Sequence, residues 1–196
     1  MKEGNIIFCG VGGQGILLAS EITSYALMKT GFDVKKSEVH GMAQRGGAVV
    51  AHLRYGEKVF SPLIGPGSVD IQVAFEMLES LRYLEYLGTS SRVIVNTQKI
   101  LPSPVATGVE TYHSDVIGQL KGLGLTVFPV DAFEIAKMAG EIKAVSMVLV
   151  GALSCFLPAG EDVFYSVIEE RVPERFRKAN LEAFAGGRKA ITDMNR

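Results

Sequence analysis

The sequence predicts a doubly wound α/β fold with a mostly parallel sheet, an inserted hairpin and a C-terminal helical section. Short apolar runs alternate with stretches whose apolar residues recur at helical spacing, which is the pattern of a sheet covered by helices. The first apolar run passes through a glycine-rich turn directly into a helical pattern. From about residue 143 onward the pattern is helical throughout. These observations favour a single domain over residues 1–196, with a helical part over about 143–196.

The elements follow from the periodicity and from capping residues. Strands are expected at 5–9, 33–39, 48–55, 69–75, 92–96 and 125–130. Helices are expected at 13–29, 76–87, 115–123, 131–139, 144–157, 161–171 and 173–195, with Ser114 or Asp115 as the cap of the third. The turn at 56–58 predicts a hairpin between the third strand and residues 59–60. The first two strands and the helix between them are expected to form a parallel βαβ unit of neighbouring strands.

Length, charge and composition limit the function classes. The chain has 196 residues, 47% of them hydrophobic, which excludes disorder and allows a full core. A formal net charge of −1 gives no bulk attraction to nucleic acid or to a membrane surface. The start of the sequence lacks a signal-peptide pattern, and the apolar stretch 144–157 is too short to span a bilayer. We therefore expect a soluble, cytoplasmic protein with no nucleic-acid or membrane partner.

The two cysteines exclude several cofactors. Cys9 and Cys155 lie in apolar runs without a C-x-x-C motif, so both are expected to be buried thiols rather than zinc ligands or a disulfide. A [4Fe–4S] cluster normally takes four thiolates, which this chain cannot supply alone. No metal site is expected on the chain.

The segment Gly10-Val11-Gly12-Gly13-Gln14-Gly15 is the first candidate site. It fits the pattern G-x-G-x-x-G between a strand and a helix, where free backbone N–H groups favour an anion such as phosphate. The alternative is a close-packed turn that binds nothing. The Gln14 amide could likewise bond a ligand oxygen or only the turn.

A second glycine-rich loop spans residues 40–47, with the sequence His-Gly-Met-Ala-Gln-Arg-Gly-Gly. Arg45 is the only cation in it and suits bidentate contact with phosphate or carboxylate, while Gly46 and Gly47 free the backbone to present N–H groups. Alternatively, Arg45 is a solvated loop residue. His40 is a weak candidate for acid–base catalysis, because a histidine at this place is more often a local hydrogen-bond anchor. Since each loop follows the end of a strand, both should face one crevice.

The ligand class stays open on the residues alone. Glu38 stands about where a dinucleotide-binding protein has the acidic residue that holds a ribose. Lys35, Lys36 and Arg45 around it make another phosphate-rich ligand equally consistent.

Taken together, the glycine-rich turn, the loop 40–47, Ser61-Pro62 and the strand 70–74 resemble the gamma domain of 2-oxoacid:ferredoxin oxidoreductases. The form of the second loop is most similar to that of the beta subunit in indolepyruvate ferredoxin oxidoreductases. The segment 146–153 is similar to the family's C-terminal helix, although Ala144 and Val145 stand where the family often has an Asn.

The resemblance implies a subunit of a heteromeric enzyme that oxidatively decarboxylates an aryl 2-oxoacid such as indolepyruvate, with coenzyme A as acyl acceptor and ferredoxin as electron acceptor. Thiamine diphosphate, magnesium and iron–sulfur clusters would lie on a large partner subunit, through which ferredoxin would also act. This chain would be inactive alone and would help to bind coenzyme A. The candidate residues are Gly10, Gly12, Gly13, Gln14, Gly15, Arg45, Gly46 and Gly47.

Two alternatives remain at this stage. One is a free-standing Rossmann-type nucleotide-binding oxidoreductase, and the other is a purely structural subunit that clamps its partner.

Overall fold

The computed structural model describes residues 3–40, 47–101, 103–109, 111–113 and 115–194. Its strands are β1 Gly4–Val11, β2 Asp33–His40, β3 Ala48–Gly56, β4 Val69–Ala74, β5 Leu87–Asn96 and β6 Thr126–Val130. They form one sheet in the order β2-β3-β1-β4-β5-β6. β1, β4, β5 and β6 pair in parallel, whereas β3 is antiparallel to both of its neighbours.

The helices are α1 Ile16–Lys29, α2 Glu79–Arg82, α3 Ser103–Ala106, α4 Val116–Gly122, α5 Ala132–Met138, α6 Val145–Ser154, α7 Glu161–Arg171 and α8 Glu174–Met194. Single 3₁₀ turns lie at Leu84–Tyr86 and Ile142–Ala144. Two aspartates begin helices as predicted, because their side chains accept from backbone N–H groups of the first turn. Asp115 accepts from Gly118 at 2.9 Å, and Asp131 accepts from Glu134 at 3.2 Å. No helix in the described ranges is both long and apolar enough to cross a membrane.

Helices cover both faces of the sheet, which confirms the predicted doubly wound class. One face buries Phe8, Ile71 and Ile94 against α1 and α5 to α8. The other face buries Val93 and Val95 against α4 and the chain around α2. The antiparallel β3 is the inserted element of the mostly parallel sheet.

α6 lies at the centre of the helical layer. All ten of its residues are buried, as its apolar sequence predicted. Its backbone touches α8 closely: a Cβ on Gly151 would lie 2.0 Å from the Phe184 carbonyl oxygen, and one on Gly187 would lie 1.9 Å from that of Val148. Glycine at both positions therefore lets the two helices meet at backbone distance.

The predicted neighbourhood of β1 and β2 is wrong. The two strands run in the same direction, but β3 lies between them and pairs with each. β3 is buried along nearly its whole length, as expected of a central strand. The alternating sequence of β3 predicts that the strand is buried. It does not indicate which strands pair with it.

The predicted hairpin partner at 59–60 is also absent, since no strand forms there. The Asp33 carboxylate accepts the Val59 backbone N–H at 2.9 Å, so this N–H is not free for strand pairing. The hairpin strands are instead β2 and β3, paired from Asp33 opposite Gly56 to His40 opposite Val49.

The predicted helix at 76–87 is broken into α2 and a 3₁₀ turn. The Glu76 carboxylate accepts the Glu79 backbone N–H at 3.1 Å, so Glu76 lies outside the helix and caps it.

His52 on β3 makes folding stability depend on pH. Its ring is 7% exposed, and its Nδ1 accepts the Ile64 backbone N–H at 3.3 Å. Burial lowers the pKa of His52 below its ordinary value. Its contribution to stability is therefore present above about pH 6.5 and is lost as the pH falls, because the unfolded chain binds the proton more readily.

We expect the free energy of unfolding to fall more steeply for the wild type than for His52→Gln as the pH is lowered from about 8 to 5. Urea unfolding at several pH values measures this difference. His113→Gln, at a solvent-exposed histidine, is measured in parallel as a control for the removal of a histidine as such. Equal slopes for wild type and His52→Gln would contradict the assignment.

Candidate functional site

The glycine-rich turn opens the N-terminus of α1 toward solvent. Gly13 and Gly15 have positive φ angles of 101° and 81°, which turn the chain from β1 into the helix. No side chain caps α1, and no acidic residue lies in its first turn. Because the first N–H groups of a helix have no partner within it, this end of α1 favours an anion.

Gln14 belongs to the framework of the turn. Its Oε1 accepts the Val11 backbone N–H at 2.8 Å, and its Nε2 donates to the Phe75 carbonyl at 2.9 Å. The side chain thereby ties the end of β1 to the end of β4. Of the two roles considered for this amide, the structure shows the bond to the turn.

Gly10 is a packing residue. It is buried, and a Cβ there would lie 2.7 Å from the Phe75 Cβ and 2.8 Å from Gln14 Oε1. Packing alone accounts for glycine at this position. The candidate glycines beside the open space are thus narrowed to Gly12, Gly13 and Gly15, and Gln14 also lines the crevice.

The second loop reaches the first at Gly47. The Gly47 carbonyl accepts the Gly12 backbone N–H at 2.9 Å, beside the pairing of Val11 with Ala48. Arg45 and Gly46 lie outside the described residues, and His40 is the last residue of β2. The expected meeting of the two loops is therefore seen at one contact.

A crevice of about 340 Å³ lies beside the turn, at the carboxyl ends of the parallel strands. Gly13 and Gly15 line it from the β1 side, Gln98 and Ile100 follow β5, and Phe133 follows β6. A second hollow of about 440 Å³ adjoins it, lined by Gly12, Gly13, Gly15 and the first turn of α1.

Three polar residues of the crevice escaped the analysis of the sequence: Gln98, Lys143 and Ser146. Lys143 is the charged residue among those that line the crevice, and it is exposed. None of the three lies in the two glycine-rich loops. They reach the site because the end of β5 and the start of α6 both lie next to the turn. The positions of these residues in the sequence do not reveal this proximity.

Glu76 joins the end of β4 to the segment that lines the crevice. The residue is 1% exposed. Oε1 accepts the Ile100 backbone N–H at 3.2 Å and the Tyr112 hydroxyl at 2.6 Å. The Glu79 backbone N–H donates to Oε2, so three donors converge on one buried carboxylate.

Both cysteines are free thiols. Cys9 is buried, donates to the Glu79 carbonyl at 3.5 Å, and has its pKa raised by burial. Cys155 is only half-buried, contrary to expectation, because it lies at the C-terminal end of α6. The described residues contain no group of three or more His, Cys, Asp and Glu side chains that could hold a metal ion.

A profile of the family "Pyruvate ferredoxin/flavodoxin oxidoreductase" matches residues 5–190, which is most of the chain. The chain belongs to this family. It is 41% identical over 187 residues to the indolepyruvate oxidoreductase subunit IorB of Archaeoglobus fulgidus, with 93% of this chain and 92% of the relative covered. These matches confirm the resemblance found in the two glycine-rich loops, and with it the prediction of an oxidoreductase subunit.

Two solved structures share the fold. The gamma subunit of a keto/oxoacid ferredoxin oxidoreductase from Geobacter sulfurreducens PCA matches with a TM-score of 0.73 at 20% identity, covering 97% of this chain and 99% of that one. A 2-oxoglutarate:ferredoxin oxidoreductase from Magnetococcus marinus, solved with 2-oxoglutarate, coenzyme A and succinyl-CoA bound, matches with a TM-score of 0.78 at 19% identity. That match covers 98% of this chain and 32% of the longer chain.

The turn offers a direct test of its packing. Gly13 and Gly15 share a positive φ, but a Cβ on Gly13 meets nothing within 4 Å, whereas one on Gly15 would lie 3.0 Å from the Cβ and Oγ of Ser146. We expect Gly15→Val to lower the free energy of unfolding by about 1–3 kcal/mol more than Gly13→Val, since only the first is overpacked. Chemical denaturation of both variants measures this. Equal losses would mean that backbone strain alone governs the turn.

Proposed function

We propose that this chain is the subunit of an indolepyruvate-type 2-oxoacid ferredoxin oxidoreductase that carries neither thiamine nor clusters and helps to bind coenzyme A. In the assembled enzyme an aryl 2-oxoacid is oxidatively decarboxylated to an acyl-CoA, and the electrons pass to ferredoxin. The name and the 41% identity of the archaeal relative support the substrate class. The chain alone does not perform this oxidation.

The observation that carries the coenzyme A role is the uncapped N-terminus of α1 at the crevice. Coenzyme A is a polyanion, and its phosphates need N–H donors and cations. The first turn of α1 supplies donors, open space above Gly13 admits a phosphate, and Lys143 supplies a positive charge. The Magnetococcus marinus enzyme, whose longer chain includes this fold, holds coenzyme A, which adds support.

The structure argues against a nicotinamide or flavin dinucleotide. In that binding mode the acidic residue that holds the ribose ends the strand next to β1. Here β3 separates β2 from β1, and Glu38 is ion-paired with Lys36. The turn thus keeps the phosphate-binding geometry without the neighbouring ribose contact.

Thiamine diphosphate, magnesium and the iron–sulfur clusters belong on a large partner subunit in this proposal. Two thiols, one buried and one half-buried, do not fit a cluster on this chain. The role of this chain is then to bind and orient the acyl acceptor. Ferredoxin acts through the partner.

Gly13→Asp and Gly13→Asn form a matched pair for the coenzyme A site. Asn and Asp are the non-glycine residues that tolerate positive φ best, and both side chains fit the open space at Gly13. We expect the Kd of coenzyme A for the assembled enzyme to be about 10-fold to 100-fold higher for Gly13→Asp than for Gly13→Asn, because a carboxylate repels phosphate. Calorimetric titration with coenzyme A measures this.

The folding of Gly13→Asp serves as an internal control, since a carboxylate near a helix N-terminus does not destabilise the helix. Equal coenzyme A affinities for the two variants would leave α1 without a ligand role and favour a subunit that only clamps its partner.

Arg45 is included in the proposed site on the sequence alone. In the assembled enzyme, Arg45→Ala should raise the apparent KM for coenzyme A by about 10-fold to 150-fold, because charge-assisted hydrogen bonds contribute about 1.5–3 kcal/mol. The KM for the oxoacid should barely change, and Arg45→Lys should recover only part of the loss. A defect confined to subunit association, with coenzyme A saturation unchanged at excess partner, would contradict the assignment.

A further inference from the structure

We infer that Glu76 is a positioning residue for the coenzyme A site, because its carboxylate fixes the wall of the crevice that carries Gln98 and Ile100. The inference rests on the proposed function for its ligand. The placement of the wall itself rests on contacts within this chain.

Glu76 holds the wall from behind at two points. Its Oε1 accepts the backbone N–H of Ile100 at 3.2 Å and the hydroxyl of Tyr112 at 2.6 Å. Ile100 lines the crevice and lies near the start of the segment that connects β5 to α4. Tyr112 lies near the end of the same segment. One carboxylate oxygen therefore fastens both arms of the segment between β5 and α4 to the end of β4.

The residue after Glu76 makes a further link to this wall. The Met77 backbone N–H donates to the Gln98 carbonyl at 3.4 Å. Gln98 also lines the crevice. The residues after β4 thus contact two residues of the crevice, Gln98 and Ile100, and Glu76 supplies the side-chain part of the link.

The burial of Glu76 singles out this role. A carboxylate that is 1% exposed loses its hydration, which costs several kcal/mol unless hydrogen bonds replace it. No ion pair of Glu76 is seen within the described part of the chain, so neutral donors alone compensate it. The position of the Glu76 carboxylate is therefore set by the geometry of these three hydrogen bonds.

Only a carboxylate satisfies all three donors. Oε2 accepts the Glu79 N–H, while Oε1 accepts from Ile100 and Tyr112. A carboxamide has one oxygen, so its NH₂ group would face either the Glu79 or the Ile100 N–H, neither of which can accept. Burial and the bond to Glu76 raise the pKa of Tyr112, which keeps the phenol protonated as a donor.

Glu76→Gln tests the inference, with Glu79→Gln as the matched control. Glu79 lies three residues further on, is also buried, and pairs with Arg82, so its substitution makes the same change of charge without touching the wall. Two measurements are made. Hydrogen exchange at the Ile100 amide in the full chain reports the wall, and titration of coenzyme A into the assembled enzyme reports the site.

We expect Glu76→Gln to speed exchange at Ile100 about 10-fold. The same variant should raise the Kd of coenzyme A about 10-fold, which corresponds to about 1.4 kcal/mol. Glu79→Gln should change neither quantity. If Glu76→Gln does not fold, Tyr112→Phe takes its place. This variant removes one donor without altering the carboxylate, and it should also weaken coenzyme A binding.

Two results would overturn the inference. Unchanged exchange at Ile100 would show that the wall does not depend on Glu76, and faster exchange with unchanged coenzyme A affinity would make Glu76 purely structural. Failure of the proposed function is recognised separately, since it would remove the difference between Gly13→Asp and Gly13→Asn while leaving the exchange at Ile100 sensitive to Glu76.

Discussion

The site depends on one carbonyl group at the end of β4. The Phe75 oxygen accepts from Gln14 Nε2 at 2.9 Å and from Asn96 Nδ2 at 3.0 Å, so two carboxamides from the ends of β1 and β5 meet on it. Each amide then turns its oxygen to a further backbone N–H, that of Val11 for Gln14 and that of Ala132 for Asn96. Four parallel strand ends are thereby fixed relative to one another. Because an unpaired buried amide costs about 1–3 kcal/mol, these bonds resist any rearrangement of the crevice floor.

This framework separates two kinds of residue that the pattern G-x-G-x-x-G mixes. Gly10 and Gln14 point into the protein, where one gives room for Phe75 and the other bonds to it. Gly13 and Gly15 supply the positive φ angles that expose the first turn of α1. The proposed anion site is therefore made of backbone, and the Gln14 side chain holds that backbone in position. A positive charge to pair with an anion must come from outside the motif. Among the described residues that line the crevice, Lys143 supplies it.

Much of the fold could be predicted from the sequence because local chemistry determined it. Asp115 and Asp131 begin helices by capping them, and the all-apolar stretch of α6 is buried as expected. Two of the errors arose where a side chain bonds to a backbone group outside its own element. The Asp33 carboxylate accepts the Val59 N–H, where a strand was predicted. The Glu76 carboxylate accepts the N–H groups of Glu79 and Ile100, so α2 begins at Glu79 rather than at residue 76. Lys143 likewise could not be assigned to the site, since only the tertiary fold brings it there.

The antiparallel β3 has the largest effect on which ligand the fold can take. A dinucleotide lies across two adjacent parallel strands, with phosphate at one strand end and ribose at the next. With β3 between β1 and β2, the phosphate position at the end of β1 is kept, whereas the ribose position at the end of β2 lies one strand further away. Glu38 on β2 pairs with Lys36 instead. The opposite neighbour of β1 is β4, whose end carries Glu76 and whose continuation meets the wall at Ile100. The crevice lies accordingly not on the β2 side of the turn but toward β4, β5 and β6. In the proposed function, a phosphate bound at α1 has the crevice wall beside it, and this arrangement suits an elongated acyl carrier better than a nicotinamide or flavin dinucleotide.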